Sequence, residues 1–195
     1  MTADLAALVG SRIAHDLASP LGAIANGIEL LGLTGAPDSP ELALISESVD
    51  APNARIKAFR IAFGAAAPDQ VVKAADVAAL LAPRPERKTS IDWRGTEGDV
   101  PRPAVKLVML ALMCCETAMP RGGQVRIEPD GDGWQIHASA ERLSLEPALW
   151  ATLTGDPNGA IAPAQVQFAL LALETRAQSR RLSVAFGETE IRIRV

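Results

Sequence analysis

A chain of 195 residues, 48% hydrophobic and 22% charged, is long enough for one domain or two small ones and carries enough apolar side chain to bury a core. Its 15 glycines and 14 prolines are scattered, which excludes collagen-like and low-complexity architectures, and apolar residues persist to the C-terminus, which excludes wholesale disorder. A formal charge of −4 lacks the basic footprint with which proteins neutralise nucleic-acid phosphates, so no nucleic acid is expected as a partner.

The N-terminal segment is acidic and amphipathic without a positively charged n-region, and no run reaches the roughly 18 apolar residues of a membrane span, so a cytoplasmic protein with no membrane partner is expected. Residues 3–33 have helical periodicity, with a seam at Leu17, Leu21, Ile24, Ile28 and Leu31. Thr34-Gly35-Ala36-Pro37-Asp38 supplies a glycine stop and a proline, and Ser39-Pro40 reads as the N-cap and first position of a second helix. That helix carries Leu42, Ile45, Val49, Pro52, Ile56, Phe59 and Phe63 at alternating steps of three and four. Two long helices bury little as an isolated pair, whereas two such hairpins make a four-helix bundle, so a homodimer is expected.

Past Gly64-Ala65-Ala66-Ala67-Pro68 the pattern becomes an α+β alternation, which places a domain boundary at residue 68 and gives domains of 1–68 and 69–195. Residues 75–81 read as a short helix, 90–93 as a strand and 102–119 as a strongly apolar helix. Residues 124–128 and 134–140 alternate on either side of Asp130-Gly131-Asp132-Gly133, a hairpin, and residues 145–153 and 163–178 read as helices. Residues 181–186 and 190–195 pair around Gly187-Glu188. The fold expected is α+β, an antiparallel sheet with helices on one face, preceded by the helical hairpin. Cys114 and Cys115 are adjacent in an apolar stretch, a spacing unsuited to a structural disulfide or a zinc site and suited to a reducing compartment.

Two histidines are candidates for chemistry. His137 falls in an alternating strand on the face of Gln135 and Ser139, and reads as a solvated strand residue. His15 lies two residues before the seam position Leu17, roughly 200° around the helix from it, and so faces solvent. Ser19, Gly22 and Asn26 follow on its face, a strip of small and polar side chains along which another protein could approach the helix closely. Pro20 cannot donate to the carbonyl of Asp16 and loosens the turn beside the histidine. Asp16 could accept a hydrogen bond from Nδ1 of the imidazole, leaving Nε2 free as a nucleophile. An unperturbed histidine pKa of about 6.5 leaves much of the imidazole neutral near neutral pH.

The stretch His15-Asp16-Leu17-Ala18-Ser19-Pro20-Leu21 resembles the H-box of sensor histidine kinases. Its continuation Gly22-Ala23-Ile24-Ala25-Asn26-Gly27-Ile28-Glu29-Leu30-Leu31, with Phe59-Arg60-Ile61-Ala62-Phe63-Gly64, is more similar to the ChpT-type histidine phosphotransferases of alphaproteobacteria. The C-terminal region resembles a kinase ATP-binding domain whose nucleotide site is erased. Met119-Pro120-Arg121-Gly122-Gly123-Gln124-Val125-Arg126-Ile127 looks like the segment after the kinase N-box, yet the metal-binding asparagine of that family falls at about Cys114. Where the kinases have Asp-x-Gly-x-Gly, this chain has Ser139-Ala140-Glu141-Arg142-Leu143, and the glycine-rich lid is replaced by Gly159-Ala160-Ile161-Ala162-Pro163.

The resemblance implies a phosphorelay carrier: a phosphotransferase, without ATP-dependent kinase activity, that takes a phosphoryl group from a receiver aspartate onto His15 and passes it to another. Asp16 orients the histidine, and Ser19, Gly22, Asn26 and Arg60 are the candidate partner-binding residues. Ser19 also occupies the position where some bifunctional kinases carry a residue that orients a hydrolytic water. No cofactor is expected in this chain, and Mg²⁺ is expected on the partner receiver. The partners implied are the receiver of a hybrid kinase and response regulators of the CtrA type that govern the cell cycle. The alternatives are an ATP-dependent sensor-type kinase with a divergent nucleotide site and a noncatalytic dimer that binds response regulators.

Overall fold

The computed structural model describes residues 22–24, 26, 27, 30, 31, 40, 54–83, 87–95, 98–154 and 161–195. The chain divides into two compact units, residues 1–60 and 61–195. Most of the expected helical hairpin, including its break at residues 34–38 and the seam positions Leu17, Leu21, Ile28, Leu42, Ile45, Val49 and Pro52, lies outside the described residues. Of the remaining seam in the first unit, Ile24 and Leu31 are helical and half-buried, Phe59 is helical and buried, and Ile56 is helical and exposed.

The second unit is built on a five-stranded sheet: β2 (Thr89–Trp93), β4 (Gly123–Asp130), β5 (Gly133–Ser139), β6 (Ser183–Phe186) and β7 (Glu190–Arg194) in the spatial order β2-β4-β5-β7-β6. Strict alternation in the sequence produces its two faces. Val125 and Ile127 on β4, Trp134, Ile136 and Ala138 on β5, and Ile191 and Ile193 on β7 all turn inward and are buried. The register aligns them in rows, Ile127 beside Ile136 beside Ile193 and Val125 beside Ala138 beside Ile191. A slip of one residue would turn every one of them to water, so this alternation pins the pairing.

Against that face lie helices α1 (Ala74–Leu81), α2 (Arg102–Ala118), α3 (Pro147–Thr154) and α4 (Val166–Ala177), the last entered through a short 3₁₀ turn at Pro163–Gln165. Helix α2 is apolar nearly all round and accordingly buried from Ala104 to Leu112 without interruption. Pro103 sits in its first turn, where a missing backbone N–H costs nothing. The Trp150 ring of α3 meets Phe168 of α4 edge-on at 5.0 Å and Phe186 of β6 edge-on at 5.2 Å, tying two helices to the sheet's edge.

The sheet is mixed rather than wholly antiparallel. Strand β2 pairs parallel with β4, Ile91 beside Val125, while the other neighbours are antiparallel as expected. The cause is α2: a 17-residue helix between the two strands returns the chain to the same end of the sheet, which is the connection a parallel pair requires. A second, two-stranded sheet, β1 (Val71–Val72) with β3 (Val100–Pro101), was not expected. Two-residue strands carry no periodicity to read. Among the described residues no helix is long and apolar enough to cross a membrane.

Candidate functional site

His15, Asp16 and Ser19 lie outside the described residues, so the site begins for the structure at Gly22. Gly22 and Asn26 are helical, four residues apart and both exposed, the spacing that puts two side chains on one helix face. A side chain built at Gly22 would meet nothing within 4 Å. Gly27 is buried, and the apolar Leu30 is 42% exposed. On the later helical stretch of the same unit Ala58 and Phe59 are buried, whereas Arg55, Ile56, Lys57 and Arg60 are exposed.

In the second unit, the segments that the kinase resemblance singled out come together at the C-terminal end of α2. The Ser144 backbone N–H donates to the Ala118 carbonyl at 2.8 Å, and Gly123 runs so close to β5 that a β-carbon there would stand 2.4 Å from the Ser139 carbonyl oxygen. Pro120, Arg121, Arg142, Leu143 and Ser144 line a shallow cavity of about 240 Å³ at this point. Its wall offers two guanidinium groups and no carboxylate.

Cys114, at about which the kinase resemblance would set a metal-binding asparagine, is wholly buried within α2. Burial, reinforced by the neighbouring Cys115, holds its thiol pKa well above the usual range. Cys115 is buried likewise and its thiol is also pushed up, chiefly by desolvation. A neutral, buried thiol is a packing group, neither nucleophile nor ligand. Among the described residues no three His, Cys, Asp or Glu side chains gather closely enough to hold a metal ion. Of the lid segment, Gly159 and Ala160 lie outside the described residues, Ile161 and Ala162 lead into the 3₁₀ turn, and Pro163 begins it.

His137 is half-buried on the outer face of the sheet rather than freely solvated. Its Nε2–H donates to Glu190 Oε2 at 2.8 Å, and Arg192 Nη2 donates to the other oxygen, Oε1, at 2.9 Å. The sheet register makes this cluster, since His137 stands directly opposite Arg192 on β7 and Arg126 on β4. The histidine's hydrogen bond, with the Arg192 charge assisting against partial desolvation, holds the Glu190 carboxyl below the usual glutamate range. Sequence reading missed Glu190 because its partner is 53 residues away and only the strand pairing joins them.

Residues 72–190 match the histidine phosphotransferase C-terminal domain. This chain belongs to that family. Among known histidine phosphotransferases, it is 41% identical over 130 residues to the protein phosphotransferase ChpT of Brucella abortus (strain 2308). That alignment takes in 66% of this chain and 62% of the relative, so the chain spans somewhat under two thirds of the length of the curated relative it matches. The solved structure of a bacterial phosphotransferase is 31% identical, with a TM-score of 0.78 over 100% of this chain and 96% of that one. A histidine kinase, AdeS of Acinetobacter baumannii, aligns at 12% identity and a TM-score of 0.46, over 93% of this chain and 96% of that one. The expected ChpT-type resemblance is therefore borne out, and the α+β unit described above is the domain that the family match covers.

Proposed function

We propose that this protein is a cytoplasmic, homodimeric histidine phosphotransferase in which residues 1–68 form the phosphotransfer and dimerisation hairpin and residues 69–195 a kinase-like domain without a nucleotide site. The observation that carries this reading is the family match over residues 72–190, reinforced by the relative at 41% identity that bears the name protein phosphotransferase. Support for a nucleotide-free domain comes from Cys114, a buried neutral thiol where a kinase needs an oxygen ligand for Mg²⁺. Ile56, a seam position of the second helix left 39% exposed, supports a helical hairpin whose seam is covered by a second copy.

In the proposed reaction, Nε2 of His15 attacks the phosphorus of an aspartyl phosphate in line. The N–P bond forms as the acyl P–O bond breaks, and the aspartate leaves as a carboxylate. The proton on Nδ1 stays on the imidazole, held by Asp16, which also stabilises the positive charge that develops. The reverse step, with a second receiver, delivers the phosphoryl group onward. The Mg²⁺ that neutralises phosphoryl oxygens belongs to the partner receiver in this scheme. Exposed Gly22 and Asn26, with Ser19 and Arg60, make the surface on which receivers of a hybrid kinase and of CtrA-type regulators dock.

Incubating the protein and its His15→Ala variant with a phosphorylated receiver tests the reading. Wild type gains an acid-labile phosphoryl group and the variant does not; equal labelling of both would remove His15 from the mechanism.

A further inference from the structure

Where the β4–β5 turn, the connection from α4 to β6 and the end of β7 converge, the second unit holds an open cleft of about 560 Å³. Three guanidinium groups line it, Arg180, Arg181 and Arg194, with Asp130 and Asp132 as the carboxylates on the same wall. The charges are not equally committed. Arg194 Nε is 3.0 Å from Asp130 Oδ2 and 3.1 Å from Gln135 Oε1, so that guanidinium is largely satisfied. Arg180 Nη1 donates to the backbone carbonyl of Asp132, which fixes its position without neutralising its charge. Arg181 is exposed and has no ion-pair partner among the described residues.

The backbone that presents these two arginines is strained and tightly set. Helix α4 ends with Arg180 N–H donating to the Thr175 carbonyl at 2.9 Å, a closure that puts Ser179 at φ 52°, in the left-handed region usually given to glycine. A serine held there costs on the order of 1 kcal/mol, and such residues gather at ligand clamps and other functional positions. Across the cleft, Gly133 leaves no room for a side chain: a β-carbon would meet the Val195 carbonyl oxygen at 2.1 Å and Arg180 Nη1 at 3.4 Å.

Planar guanidinium forks match the spacing of phosphoryl oxygens, and with Asp130 paired to Arg194, Arg180 and Arg181 outnumber Asp132, the other carboxylate on the wall, a balance that favours an anion. We propose that this cleft binds a small phosphate-bearing anion through Arg180 and Arg181. The proposal stands on residues of the second unit alone and does not rest on the phosphotransfer reading.

Titration calorimetry of the full chain at fixed ionic strength, with pyrophosphate and separately with glycerol 3-phosphate, tests it. Wild type saturates, and Arg181→Gln weakens binding about tenfold or more, the loss expected for one charge-assisted hydrogen bond. Arg126→Gln, which removes the same charge from the outer face of the sheet, leaves affinity within about twofold. Saturation by pyrophosphate alone assigns the cleft to inorganic phosphates, and saturation by glycerol 3-phosphate as well extends it to phosphate esters. Absence of saturable binding to wild type overturns the proposal, as does equal weakening by Arg181→Gln and Arg126→Gln. Because Arg181 is exposed, its substitution leaves the urea midpoint unchanged, which separates lost binding from lost folding.

Discussion

The ammonium of Lys106 on α2 is ion-paired with the carboxylate of Glu174 on α4, 68 residues further along the chain. The lysine side chain is only 6% exposed, in a helix buried without interruption from Ala104 to Leu112, so its charge is tolerable only because that partner reaches it. Glu174→Ala strands the ammonium and destabilises the second unit by about 3 kcal/mol. Replacing both residues, Lys106→Met with Glu174→Leu, restores stability to within about 1 kcal/mol of wild type, because no uncompensated charge is left. Urea unfolding of the three proteins checks this; a single variant as stable as wild type would show the pair to be incidental.

The His137–Glu190 pair gives the outer sheet face a pH dependence. The Glu190 carboxyl is lowered by the bond from His137, so the stabilisation it brings is fully present above the ordinary glutamate pKa of about 4.3 and is lost as the pH falls through the lowered folded value. Glu190→Gln therefore flattens the acid limb of the stability curve below about pH 5, leaving the curve above it parallel to wild type. His137→Ala moves the Glu190 titration back toward the ordinary range, read from its carboxyl carbon by NMR. An unmoved Glu190 titration in His137→Ala would contradict the assignment.

Gly122 answers a geometric need. Its φ is +91°, and a β-carbon would stand 2.2 Å from the Lys88 carbonyl oxygen, a backbone atom with no freedom to move aside. Gly122→Ala is predicted to destabilise by about 2 kcal/mol or more, combining strain and clash. Gly98→Ala, where the new methyl meets nothing within 4 Å, stays within about 0.5 kcal/mol of wild type. Thermal unfolding of the two variants measures the contrast, and similar midpoints would contradict it.

Much of the second unit was legible because its elements are strongly periodic. The alternation of Trp134, Ile136 and Ala138 announced β5, the unbroken apolar run of α2 announced a buried helix, and the Asp130-Gly131-Asp132-Gly133 tract announced the hairpin turn. Periodicity records which face is buried and not which way a neighbour runs, so the parallel β2–β4 pair left no mark. Partners across long sequence separations were equally hidden. Nothing near Lys106 in the sequence names Glu174, and His137 read as solvated because Glu190 arrives only through the β5–β7 register. The arginine cleft is invisible for the same reason, since Arg180 and Arg194 meet only once α4 and β7 have folded onto β5. At the candidate phosphotransfer site the motif spoke for His15 and Asp16, and the described residues contribute the exposed, helical positions Gly22 and Asn26.

A covered hairpin seam makes a prediction about assembly. Ile56, a seam position, is exposed in the single chain, and an interface between copies would bury it. Ile56→Glu converts a dimer to a monomer in sedimentation velocity, whereas the same change made at the exposed Leu173 of α4 leaves the dimer intact. A wild-type protein that sediments as a monomer at micromolar concentration would contradict the homodimer.

The most direct test of the central claim is label transfer to wild type and His15→Ala, in parallel from radiolabelled ATP with Mg²⁺ and from prephosphorylated receivers. Label is expected on wild type only, and only in the presence of a phosphorylated receiver. Label acquired from ATP alone would contradict the claim, and would mean that a domain whose kinase-like segments read as degenerate still binds and uses nucleotide.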